Sequence, residues 1–190
     1  MAKKSVQIAF DDLLRQITAG SEEAFQTLYL HYHDRLFQFA RMYLHNQQAA
    51  EDVVSDLFFQ LWKSRGMLGG IENFNAYIYR AARNSCTNYL QSGHRNHIYD
   101  IAQARLQVSV DPAVPADEEV DFQLLNSALT DAVEQLPERC RIIFKLAKED
   151  GMSHREIAAA LDISVSTVEG QLAIAMHRLR AAAAPFLKKI

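Results

Sequence analysis

This sequence is short of glycine, proline, cysteine and surplus positive charge, and each shortage excludes something. Seven glycines and four prolines in 190 residues are few for a fold of many tight reversals and favour helices over strands. The two cysteines, Cys86 and Cys140, lie far apart and in no metal-like spacing. That suits a reducing compartment better than a disulfide framework. The formal charge of −3 means that bulk electrostatics will not hold a polyanion. After Lys3 and Lys4, Asp11 and Asp12 interrupt any apolar run. Neither a signal peptide nor membrane insertion is expected, and the chain reads as cytoplasmic. A dinucleotide fingerprint, a nucleophile elbow and a zinc motif are all missing. His94 and His97 stand a turn apart, but the nearby chain offers too few further ligands. Neither an enzyme nor a metal or cofactor site is expected.

What is present is an apolar content of 49%, enough for a core, arranged at helical spacing. Phe10, Leu13, Leu14 and Ile17 share one face. Ser21 can cap a second helix carrying Phe25, Leu28, Tyr29, Tyr32, Leu36, Phe39 and Tyr43. Asn46 can cap a third, reaching about Trp62. After the glycines at 66, 69 and 70, a fourth helix runs from about Phe74 to Leu90, with Phe74, Tyr77, Ile78, Ala81 and Tyr89 inward. Periodicity fades over 93–120, where Pro112 and Pro115 sit among acids; a short helix over 98–106 is an open alternative. Periodicity returns at Phe122, Leu125, Ala128, Leu129, Ala132 and Leu136, and Pro137 suits the first turn of the next helix. Charge follows the same division. Residues 1–92 and 121–190 each balance nine Lys/Arg against nine Asp/Glu, while 93–120 hold two against five. The predicted architecture is all-α: two small helical bundles, 1–92 and 121–190, joined by an acidic linker at 93–120.

The second bundle ends in a helix-turn-helix pattern, GMSHREIAAALDISVSTVEGQL, at 151–172. Ser153 and Glu156 are spaced as a capping box. Ile157, Ala158 and Leu161 face inward, Asp162 occupies the turn position that asks for left-handed backbone, and Val168, Leu172 and Leu179 form the buried stripe of the second helix. Ser166, Thr167, Gly170 and Gln171 then point outward, with Arg155 and Arg178 nearby as cations. Such a face can meet base edges in a major groove. Glu169 has two readings: N-terminal box partner of Ser166, or acceptor for a cytosine amine. The unit is locally neutral, because Arg155, Arg178 and Arg180 face Glu156, Asp162 and Glu169. About three phosphate contacts leave affinity no better than about micromolar. A reader this weak needs something else to bring it to DNA.

The third helix carries a face that its core does not need. Val53, Val54, Leu57, Phe58 and Leu61 suffice for packing, leaving Asp52, Ser55, Asp56 and Phe59 on another side with Trp62 a turn beyond. Carboxylates mixed with large aromatics suit docking to a basic partner helix. The plainer reading puts Trp62 in the core and the acids in solvent.

The segments 50–58 with Leu61-Trp62, 73–84, Leu136-Pro137-Glu138-Arg139 and 151–180 together resemble RNA polymerase sigma factors of the extracytoplasmic-function (ECF) type. The run Thr167-Val168-Glu169 is similar to the iron-starvation and Bacteroidetes-like branches. The resemblance implies that Asp52, Ser55, Asp56, Phe59 and Trp62 dock on the clamp helices of the polymerase's largest subunit, and that the polymerase flap is a further partner. It implies that Asn73, Asn75, Tyr77, Arg80, Arg83 and Asn84 handle the minus-ten element, with Tyr77 standing where Trp is usual and core packing its alternative. It implies that Arg155, Ser166, Thr167, Glu169, Gly170, Gln171 and Arg178 face the minus-thirty-five element, and that an anti-sigma factor covers the protein when idle. Asn88 and Gln91 replace an acid and an arginine common near the end of the fourth helix, and Ser55 replaces a common Gln. The expected activity is promoter-specific transcription initiation with core RNA polymerase. The rival reading is a stand-alone helix-turn-helix regulator, which usually carries a receiver or ligand-binding domain; the helical first half lacks that alternation of strand and helix.

Overall fold

The computed structural model describes residues 2–92 and 117–187, with side chains over 10–92 and 123–186. The chain divides into two compact units, one built on its first half and one on nearly all of its second. No strand occurs among the described residues. His94, His97, the suggested helix over 98–106 and most of the expected linker lie outside them.

The first unit packs α1 (Ala2–Thr18), α2 (Glu22–Leu44), α3 (Gln47–Lys63) and α4 (Phe74–Gln91), with a 3-10 turn at Arg65–Gly70. Local chemistry sets the breaks. Gly20 takes φ +96 and ends α1, and the Ala24 N–H then donates to Ser21 Oγ at 3.2 Å. His45 closes α2 in left-handed backbone, its N–H donating to the Arg41 carbonyl at 2.9 Å. The Ala49 N–H donates to Asn46 Oδ1 at 2.9 Å and starts α3. The helices meet over a core of Ile17, Leu28, Leu36, Phe39, Val54, Leu61, Leu68, Ile78 and Tyr79. Cys86 is fully buried there, and desolvation pushes its thiol up to about 12, so it is unreactive at neutral pH.

In the second unit α8 (Val165–Leu187) packs against α5 (Asp117–Glu134) and α6 (Glu138–Lys148), while α7 (His154–Leu161) meets α8 at 110° across a three-residue turn. α5 begins at Asp117, inside the stretch expected to be linker. Pro137 stands one residue ahead of α6 rather than within it, its carbonyl accepting from the Arg141 N–H at 2.9 Å. Glu134 ties α5 to α6, accepting from Lys145 at 3.1 Å and Arg141 at 3.3 Å. Leu136, Cys140 and Ala175 form a small buried cluster with Phe144 against it. Burial also raises the Cys140 thiol pKa, opposed by the nearby Arg178 charge. Among the described residues no single helix is long and apolar enough to cross a membrane.

Candidate functional site

On α3 the expected partition of residues is realised. Val53, Val54, Leu57, Phe58 and Leu61 are buried, while Asp52, Ser55 and Asp56 are exposed. Phe59 is 62% exposed, a large apolar side chain left in water beside two carboxylates. Trp62 is neither core nor free. It is half-buried, its ring 4.9 Å from that of Phe25, with the Arg65 guanidinium 4.6 Å over its face and donating to its carbonyl at 3.0 Å. Glu22, Phe25 and Tyr29 from α2 complete a groove of about 340 Å³ with Phe58, Phe59 and Trp62. The sequence pattern put Phe25 and Tyr29 in the α2 core stripe, yet Tyr29 is 36% exposed. These α2 residues belong to the α3 surface. A groove lined by aromatics and flanked by Glu22, Asp52 and Asp56 fits an amphipathic basic helix.

The start of α4 brings together the next set. Tyr77 is 38% exposed and Tyr79 only 1%, which corrects the expectation that Tyr77 turns inward. Tyr79 takes that place because Phe39 of α2 meets it edge-on at 5.2 Å. Tyr77 keeps one side against Phe74, ring centres 6.0 Å apart, and offers the other to solvent. Asn73 is the α4 cap, accepting from the Ala76 N–H at 2.9 Å. Its side-chain oxygen is therefore committed to the helix. Replacing Asn73 by Ala is expected to lower stability by about 1 kcal/mol, measured as a shift in chemical unfolding. Asn75 accepts a hydrogen bond from the Tyr32 hydroxyl. Arg80 and Asn84 are exposed and Arg83 is half-buried, donating to Asn84 Oδ1 at 3.3 Å.

In the second unit the capping box forms as spaced. The Ser153 N–H donates to Glu156 Oε2 at 2.7 Å, and the Glu156 N–H to Ser153 Oγ at 3.3 Å. Asp162 adopts φ +54, and the Ile163 N–H donates to the Ala158 carbonyl at 3.1 Å. The second box does not form. Ser164, not Ser166, caps α8, its Oγ accepting from the Thr167 N–H at 3.1 Å and sharing hydrogen bonds with the Ser166 and Thr167 hydroxyls. Glu169 is thereby freed from capping and lies 3.7 Å from His154, 60% exposed. The buried stripe of α8 is Val168, Ala175 and Leu179, with Leu172 half-buried. Ser166, Glu169 and Gly170 are exposed, while Thr167 and Gln171 are half-buried at the flank. Open space surrounds the Gly170 Cα, so a phosphate or base edge can approach the helix closely there. Arg155 is exposed on α7. Arg178 is engaged elsewhere, donating to the Gln135 carbonyl at 3.3 Å at the end of α5, away from the Ser166–Gly170 face. His177, exposed and spaced seven residues from Gly170, shares that outer face and is one residue that sequence reasoning missed. A second apolar groove of about 270 Å³ lies between α5, α6 and α8, lined by Leu129, Val133, Phe144, Lys145 and Leu179.

Sequence models of sigma-70 region 2 and sigma-70 region 4 match residues 28–96 and 126–179. The chain is 25% identical to the RNA polymerase sigma-H factor of Pseudomonas aeruginosa, covering 93% of this chain and 95% of that one. It is 26% identical to the ECF RNA polymerase sigma-E factor of Escherichia coli K12, covering 97% and 100%. Among solved structures it resembles CnrH in complex with the cytosolic domain of CnrY, with TM-score 0.57, 24% identity and coverage of 92% and 97%. It also resembles the sigma factor RpoE in complex with the anti-sigma factor NepR from Bartonella quintana, with TM-score 0.56, 21% identity and coverage of 84% and 96%. These two likenesses speak for the all-α, two-part fold.

Proposed function

We propose a division of labour for this chain, which belongs to the sigma-70 family and is an ECF sigma factor. It is an alternative sigma factor that directs transcription initiation with RNA polymerase. Within that activity, residues 1–92 bind the polymerase and handle the minus-ten element, 93–120 connect, and 121–190 read the minus-thirty-five element. The polymerase surface is the α2–α3 groove with Asp52, Ser55, Asp56, Phe59 and Trp62. The observation that carries this is Phe59, exposed beside two carboxylates and lining an aromatic groove. The apolar groove of the second unit suits the polymerase flap. Tyr77 and Asn75 hold an unstacked base, and Arg80, Arg83 and Asn84 follow the displaced strand. Ser166, Thr167, Glu169, Gly170 and Gln171, with Arg155, meet the major groove.

The protein acts as an initiation factor without catalysis of its own, in the cytoplasm where polymerase works. An anti-sigma factor covers it when idle. That reading is supported by the two solved neighbours, one bound to the cytosolic domain of CnrY and the other to the anti-sigma factor NepR. The Thr167-Val168-Glu169 run supports placement near the iron-starvation branch.

The test is run-off transcription from a promoter library with core polymerase. Core plus this chain is expected to give promoter-specific transcripts that core alone does not. The double reversal Asp52→Lys, Asp56→Lys is expected to lose about tenfold or more in polymerase binding, with thermal unfolding unchanged to within about 0.5 kcal/mol. Equal binding by the reversed protein would remove the acidic face from the interface.

A further inference from the structure

Trp62, the single tryptophan of the chain, lines the α2–α3 groove from the last turn of α3. A half-buried indole has room to change rotamer, and an anchor that must be ordered on binding weakens a complex. Two groups hold this one. Phe25 of α2 meets the ring at 4.9 Å. Arg65, the first residue of the 3-10 turn, lays its guanidinium 4.6 Å over the ring and donates from Nη1 to the Trp62 carbonyl at 3.0 Å. A single planar fork makes both contacts at once, which a point-like ammonium does not.

The turn that carries Arg65 is fixed in its own right. Leu68, three residues on, is 1% exposed. A Cβ on Gly69 would stand 3.0 Å from Thr18 Oγ1, so the turn lies directly against the end of α1. Thr18 Oγ1 is anchored in its turn, donating to the Leu14 carbonyl at 2.8 Å. Contacts therefore run from α1 through the turn and Arg65 to the groove. The sequence could not show this, because α1 and the turn meet only through packing.

We propose that Arg65 is a positioning residue for polymerase docking: stacked on Trp62 and bonded to its carbonyl, it holds the indole as a fixed wall of the α2–α3 groove for the apolar face of a polymerase helix. Its charge is not what the partner reads. The groove is flanked by Glu22, Asp52 and Asp56, and a basic helix gains nothing from a further cation. Arg65 acts by keeping more of the free molecules in the form that binds.

This inference rests on the proposed function, and one experiment separates the two. Wild-type chain, Arg65→Lys and Arg65→Ala are flowed over surface-bound core polymerase at two salt concentrations. Tryptophan emission of each free chain, which reports Trp62 alone, is read for anisotropy and for quenching by acrylamide. Chemical unfolding of each confirms that it is folded under the binding conditions. Both variants are expected to show lower anisotropy and stronger quenching, and to bind about three- to tenfold more weakly, the worth of one cation–π contact. The loss should fall on association, because a docked helix holds the ring once it is seated. Arg65→Lys keeps the charge, so its salt dependence should match wild type. Wild-type binding by Arg65→Lys would make charge the whole contribution and overturns the proposal. So does a tryptophan signal that Arg65→Ala leaves unchanged, or a ring set free with no loss of binding. If the wild-type chain does not bind core polymerase at all, the functional reading fails and this one falls with it.

Discussion

Core RNA polymerase is expected to raise the apparent affinity of this protein for promoter DNA by about 10²–10⁴-fold over the free chain. The reason is the charge at the reading face. Arg155, Arg178 and Arg180 are matched by Glu156, Asp162 and Glu169, and Arg178 is further committed to the Gln135 carbonyl. With about three phosphates neutralised at most, log K should fall against log salt with a slope near about −3, and the free chain should bind no better than about micromolar. Tethering to polymerase turns a weak second contact into an intramolecular one without adding any contact to DNA. Fluorescence anisotropy of labelled promoter duplex, titrated with free chain, core and holoenzyme at several salt concentrations, measures both quantities. Nanomolar binding of the free chain to a palindromic site would instead favour a stand-alone regulator.

The parts of this structure that were legible in the sequence are those decided within a few residues. Ser21, Asn46 and the Ser153–Glu156 pair cap the helices that their spacing predicts, since a cap is settled by the three residues that follow it. The exposed acids of α3 were legible because five apolar residues already filled its inner face. Asp162 in left-handed backbone was legible from the turn's demand. What failed needed a neighbour from elsewhere. Tyr77 and Tyr79 both sit in a stretch that is apolar on nearly every side, and the choice between them is made by Phe39 on α2. Phe25 and Tyr29 fit the α2 stripe, but a stripe cannot show that α3 leaves them open as a groove. Ser166 and Glu169 have box spacing, yet Ser164 reaches the Thr167 N–H first and starts the helix a turn's fraction earlier. The acids at 117–119 looked like linker beside Pro112 and Pro115, although acids are equally at home in the first turn of a helix. The site suffered more than the fold because surfaces are assembled from several elements, whereas helix boundaries are local.

Replacing Phe59 by Ala is expected to weaken core polymerase binding by about 30-fold or more, the loss of roughly 2 kcal/mol that marks a central aromatic anchor. Phe59 isolates the interface better than Trp62 does. The Trp62 ring packs on Phe25 and carries the Arg65 guanidinium, so its removal disturbs the unit itself as well as any docked helix. Phe59 is 62% exposed in the isolated chain, and trimming it should change unfolding free energy by no more than about 0.5 kcal/mol. The two kinds of residue on this face should also separate kinetically. Asp52 and Asp56 act at a distance on a basic partner, so reversing them slows association and weakens its dependence on salt. Phe59 acts only once water has left the groove, so trimming it speeds dissociation and leaves association nearly as it was. Surface-bound core polymerase, with wild-type and variant chains flowed over it at two salt concentrations, resolves the two rates. If Phe59→Ala dissociates at the wild-type rate, the aromatic groove between α2 and α3 is not where the polymerase sits, and the acidic face alone would have to account for binding.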